Sequence, residues 1–148
     1  MGDIQNPLDD RIYAVKAVRS ADPAAGANYV HTCPLSAREE IIAFTIGVTA
    51  AAVAGPRTVT VQATIDTYII PCGCAAYQYN NADTETYTFG VGMPSIDGGI
   101  TTTLNFDPLL HHIILDPGET FATNVININA ADQLTDPIIY VRRWAITS

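Results

Sequence analysis

The residues of this chain that could do chemistry are few, and their spacing keeps them apart. His111 and His112 are adjacent, but on an extended segment neighbouring side chains point to opposite faces, so the pair cannot chelate one ion. Cys33, Cys72 and Cys74 make an odd number of thiols, and any disulfide scheme leaves one over. Cys72-Gly73-Cys74 is too tight for an easy bridge, whose Cα atoms want a separation of roughly 5 to 6 Å. Joined to His31 or His111, it matches no standard zinc spacing. The three cysteines therefore read as small buried hydrophobes. The carboxylate pairs Asp9-Asp10 and Glu39-Glu40 are consecutive and sit at element ends, as solvated starts do. There is no Gly-x-Ser-x-Gly elbow, and Gly98-Gly99 falls in a hairpin turn rather than ahead of a helix. The expectation is a protein without enzymatic activity, cofactor or metal.

Two motifs could instead serve recognition. Arg142-Arg143 puts adjacent guanidinium groups on opposite faces of the last strand. One is expected to be solvated while the other caps a carboxylate at the sandwich edge; the competing reading is a paired contact with an acidic partner surface. The loop Tyr77 to Asp83 places Tyr77, Tyr79, Asn80 and Asn81 together, the composition of a sugar-stacking platform. Loop packing is the preferred reading for those tyrosines, and a glycan site the alternative.

Composition narrows the classes further. The 148 residues carry 15% charged side chains and a formal charge of −8, with Lys16 the sole lysine. Soluble domains average roughly 25% charged residues, so the deficit points to a surface that neighbouring subunits cover. A sequence pI near 4.5 argues against nucleic-acid binding, which needs a basic stripe, and against acidic membrane surfaces. No apolar stretch approaches the roughly 20 residues that span a bilayer. The polar start, Met1 to Asn6, is not a secretory signal. Together with the free thiols, it suggests synthesis in a reducing compartment.

These groups must be positioned by strands. Residues 1–10 lack a period and read as an N-terminal arm, leaving 11–148 as a single domain. Thr58 to Ile65 alternates Val59, Val61, Ala63 and Ile65 against Thr58, Thr60, Gln62 and Thr64, the pattern of a half-buried strand. Similar segments run over 11–19, 29–33, 67–70, 85–91, 100–106, 109–115, 121–128 and 137–146. Ser36-Ala37-Arg38-Glu39 matches a capping box, so at most one helical turn is expected at 36–40. A strand then follows to about Ala50, with Ile42, Phe44, Ile46 and Val48 on one face, and it forms a long hairpin with 58–65. Pro71-Cys72-Gly73 and Asp107-Pro108 should interrupt their strands, and Asp116-Pro117-Gly118-Glu119 has the residues of a type II turn. About nine strands at such spacing predict an all-β, antiparallel, jelly-roll-like sandwich.

The Pro117-Gly118-Glu119 turn is similar to that of the cupins. The following strand, Thr120 to Val125, contains no histidine, so the cupin metal site does not carry over. Residues 36–148 resemble more closely the jelly-roll proteins that tailed bacteriophages place on the outside of their heads. The likeness rests on the strand-rich Glu39 to Ile65 segment, on Gly98-Gly99-Ile100-Thr101-Thr102-Thr103-Leu104, and on Ile113 to Thr120 before the closing strands. It implies a capsid decoration (cement) protein made in the bacterial host cytoplasm. Such a protein is usually a homotrimer bound to the major capsid protein on the virion's outer surface. A head fibre or tail accessory protein, or a carbohydrate-binding module on the same sandwich, is the alternative. For the first role the expected contacts are Ile4, Pro7 and Leu8 of the arm, with Arg142 and Arg143. The arm, or the loop from Asp22 to Asn28, would order against the shell on docking.

Overall fold

A computed structural model describes residues 13–52, 55–76, 78–80, 82–95, 104–110 and 112–146. The described chain has ten strands and no helix: β1 (Tyr13–Arg19), β2 (Val30–Thr32), β3 (Ala37–Thr49), β4 (Thr60–Ile65), β5 (Tyr68–Cys74), β6 (Thr84–Val91), β7 (Leu104–Leu109), β8 (Ile113–Leu115), β9 (Thr120–Thr123) and β10 (Gln133–Ala145). They form a two-sheet sandwich. The first sheet has the order β1-β10-β3-β6-β7, with β8 also on β3, and the second has β2-β9-β4-β5. All pairs are antiparallel except β6 with β7.

Alternation places the core between the sheets. Val59, Val61 and Ala63 are buried from one sheet, and Phe44, Ile46, Val48, Ile139 and Val141 from the other. Phe44 ties them together, stacking on Tyr29 at 5.3 Å and meeting Phe121 edge-on at 5.4 Å. Aromatic pairs in these geometries add to the stabilisation from area burial alone.

Several local expectations are corrected. The segment at 36–40 is not helical: Ala37 begins β3, and Glu39 and Ile41 pair with β8 as well as β10. A register shift opposite Tyr140 and Val141 leaves Ile42 as an extra residue in β3. That bulge reverses the parity of the strand. Glu39 and Ile41 face inward before it, and Phe44, Ile46 and Val48 after it, so Ile41 rather than Ile42 is fully buried. β3 and β4 do not form a hairpin, because the chain crosses from one sheet to the other between them.

Neither Pro71 nor Pro108 breaks its strand. β5 and β7 are edge strands, where a missing backbone donor costs no ladder bond, and Pro71 sits beside a second bulge. The turn at Asp116 is as expected: Gly118 takes φ +84° and the Glu119 amide donates to the Asp116 carbonyl at 3.0 Å. Residues 100–103, expected to begin a strand, lie outside the described residues.

Candidate functional site

Four sets of side chains merit a chemical reading: a buried ionic cluster at each end of the sandwich, and the two outer faces. At one end, inward parity brings His31 of β2, Glu39 of β3 and Arg143 of β10 together. His31 Nε2 lies 2.6 Å from Glu39 Oε2, and Arg143 Nε donates to Glu39 Oε1 at 2.6 Å. Glu39 is wholly buried, which is tolerable only because both oxygens are paired. Cys33 is adjacent in sequence terms, a Cys/His/Glu set by residue type. Its Sγ donates instead to the carbonyls of Ala37 (3.3 Å) and Leu115 (3.5 Å). Burial, reinforced by the charge of Glu39, pushes this thiol up to about 11. It is therefore protonated near neutrality, whereas nucleophilic cysteines act as thiolates. The cluster ties β2, β3 and β10 together across the sandwich.

The thiol carries a stability prediction. Below the ordinary thiol pKa of about 8.5, folded and unfolded chains both hold the proton and the contribution is full. Between there and about 11, only the unfolded chain gives it up, so stability falls as pH rises and the loss is complete above that window. Burial also raises Cys72 and Tyr29, which act in the same direction. The melting temperature should decline through this alkaline range, and less steeply in Cys33→Ala; an equal slope in that variant would show that Cys33 plays no part.

At the opposite end Arg57 (2% exposed) pairs with Asp132 (0%) at 2.9 Å. Asp132 also accepts from the amides of Ala51 (2.8 Å) and Asn129 (2.8 Å). Arg57 donates to the Gly55 carbonyl at 2.9 Å and lies 5.9 Å over the Tyr79 ring. This pins the crossing loops rather than presenting charge.

The residues singled out from sequence fall differently than expected. Arg142 and Arg143 do lie on opposite faces, but both meet carboxylates: Arg142 Nη1 donates to Glu40 Oε2 at 2.6 Å on the outer face, and Arg143 meets Glu39 within. Arg142 keeps 38% of its side chain exposed and Arg143 23%. Tyr79 is fully buried, so it cannot serve as a sugar platform; its packing is the reading preferred for the loop. Asn80 is exposed, while Tyr77, Asn81, His111 and the arm residues Ile4, Pro7 and Leu8 lie outside the described residues. The loop from Asp22 to Asn28 is already anchored to its own chain, with Gly26 N–H on the Asp132 carbonyl (2.7 Å) and Asn28 Oδ1 accepting from Val125 N–H (2.9 Å). Cys74 is exposed, contrary to the expectation that all three thiols are buried.

The outer faces differ sharply. β2, β4, β5 and β9 contain no Asp, Glu, Lys or Arg, and their one histidine, His31, points inward. Register lays the outward residues of this sheet in rows. Thr32, Thr120, Thr64 and Ile69 form one, and Val30, Ala122, Gln62 and Pro71 the next. Val30 is 58% exposed and Ile69 63%. On the other sheet the outer face carries Arg19, Arg38 and Arg142, each held by a carboxylate from Asp136, Asp116 or Glu40. The low charge read from composition is thus concentrated on one four-stranded face. Sequence reasoning missed this face, although its signal was present: no charged residue occurs between Thr58 and Ile65 or between Thr67 and Ala82. Among the described residues, no group of three or more His, Cys, Asp or Glu is placed to hold a metal ion.

Compared with protein families, with curated proteins and with solved structures, the chain matches none.

Proposed function

We propose that this protein is a non-enzymatic capsid decoration (cement) protein that braces a shell through several weak contacts at once. The observation that carries the reading is the charge-free outer face of β2-β9-β4-β5. A broad sheet face left in water normally carries charge for solubility. One that carries none, and exposes Val30 and Ile69 among threonines, is suited to being covered by a partner without burying an unpaired charge. The face therefore replaces Arg142 and Arg143 as the contact surface, since both arginines already meet glutamates of their own chain.

Strand order supports the same reading. With β6 and β7 set aside, the remaining order is β1-β10-β3-β8 and β2-β9-β4-β5, an order compatible with the double Greek key of a jelly roll. Each contact can be weak, because an oligomer such as a homotrimer engages several sites together and avidity multiplies them. The fully buried Tyr79 removes one of the two tyrosines on which the carbohydrate-binding alternative relied.

The test is co-sedimentation of the purified protein with undecorated phage heads, with its own oligomeric state measured alongside. Saturable binding to heads by an oligomer is the expected result. A monomer that stays in the supernatant at every concentration would refute the reading.

A further inference from the structure

Of the sheet edges, β1 is the one left unguarded. An open edge invites pairing with another chain, and folded proteins blunt their edges with short strands, prolines or bulges. Here β2 and β8 are three residues long, β5 carries Pro71 beside its bulge, and β7 carries Pro108. β1 has seven residues, no proline and an unbroken register with β10. Among the described strands, nothing pairs with its other side. Val15 is 62% exposed. Lys16 and Ala17, which alternate between the two faces of the strand, are exposed as well.

One bond gives the direction of the backbone groups. The Ser20 amide donates to the Pro137 carbonyl at 3.1 Å, in step with the β1-β10 register. In an antiparallel pair, residues that point their N–H and C=O at the neighbour alternate with residues that point them away. Lys16 and Val18 therefore bond to β10, and Val15, Ala17 and Arg19 turn their backbone groups to the open side.

We propose that this edge pairs antiparallel with β1 of a second copy, about a two-fold axis at Ala17, joining two six-stranded sheets into one. Two observations select that occupant. The first is that strand pairing needs an open edge on both partners, and every other described edge of this chain is blunted. A two-fold contact solves this by using the same patch twice. The second is the charge pattern. Centred on Ala17, the pairing sets Lys16 against Val18 and Arg19 against Val15 of the second copy, so each cation meets an aliphatic side chain. Centred on Lys16 it would set lysine against lysine, and like charges directly opposite destabilise a sheet. In the favoured register Val15, Ala17 and Arg19 exchange bonds with their opposite residues, about six in all. The pairing is edge to edge, so it leaves the face of β2-β9-β4-β5 open, and it does not rest on the decoration reading.

The experiment joins sedimentation equilibrium to amide hydrogen exchange read by NMR. The full chain should be a dimer. The amides of Val15, Ala17 and Arg19 should gain protection as concentration rises, whereas those of Lys16 and Val18 are protected throughout. Ala17→Pro removes the outward donor at the axis from both copies and takes no bond from β10. It should raise the dimer dissociation constant at least about tenfold, with circular dichroism confirming the fold. If that variant does not fold, exchange in the parent decides alone. A parent that is monomeric at every concentration, or trimeric, would overturn the proposal. So would a dimer in which the three outward amides exchange freely, since the copies would then meet elsewhere. Outward amides protected in a monomer would overturn it too, by assigning the edge to a segment of the same chain. A monomer that sediments with heads sinks this inference alone, and a dimer that does not sinks the decoration reading alone.

Discussion

Asp132→Ala should lower the melting temperature by roughly 10 to 15 °C. The substitution removes one partner of a fully buried ion pair and takes from Arg57, 2% exposed, the carboxylate that lies 2.9 Å from its Nε. Breaking such a pair from one side costs about 3 to 5 kcal/mol. In a domain of this size each kcal/mol is worth roughly 2 to 4 °C. The amides of Ala51 and Asn129 lose their acceptor in the same step, so the crossing loops at this end of the sandwich lose several anchors together. The double variant Arg57→Met/Asp132→Leu should recover a good part of the loss, because replacing both charges with apolar groups removes the buried ion. Calorimetry of the two variants decides the matter. A drop of only about 2 °C in Asp132→Ala, equivalent to 1 kcal/mol or less, would mean that water already screens Arg57.

The second large effect is on attachment. Gln62→Lys or Thr64→Glu places a charge in the middle of the β2-β9-β4-β5 face, where no native strand residue carries one. Both positions are outward on β4, so folding stability should change by no more than about 0.5 kcal/mol. On the decoration reading, docking must desolvate the new charge without a partner, at a cost of about 2 to 5 kcal/mol per contact. That corresponds to at least tenfold at one site, and the loss compounds across the copies of an oligomer that engage together. The expected result is a folded protein that no longer sediments with heads. Tyr140→Glu, on the outer face of the other sheet, is the matched control and should bind as the parent does. Loss of binding in Tyr140→Glu with Gln62→Lys unaffected would move the contact to the opposite face.

The parts of this molecule legible in its sequence were those governed by local periodicity. Thr58 to Ile65 buries Val59, Val61 and Ala63 as its alternation requires, and Asp116 to Glu119 turns as its proline and glycine dictate. The same rules failed where a strand departs from period two. Ile42, Phe44, Ile46 and Val48 look like one face, but the bulge at Ile42 puts Ile41 inward instead. Nothing local marks a bulge, since it arises from pairing with β10. Prolines were over-read for a related reason: whether Pro71 or Pro108 breaks a strand depends on whether that strand lies at an edge, and edges belong to the sheet.

For the candidate site the division is similar. The chain's composition already implied a surface poor in charge, because the number of ionisable side chains is settled when the residues are chosen. Where those charges lie is a tertiary matter. Glu39 and Glu40 lie over a hundred residues from Arg142 and Arg143 along the chain, yet β3 and β10 pair them and set them against one another. β2, β4, β5 and β9 become one uncharged face only because strands from three separate stretches of chain are laid side by side. Side-chain chemistry is intrinsic to each residue, whereas its neighbours and exposure are set by pairing between distant strands. Only the folded sandwich brings that about.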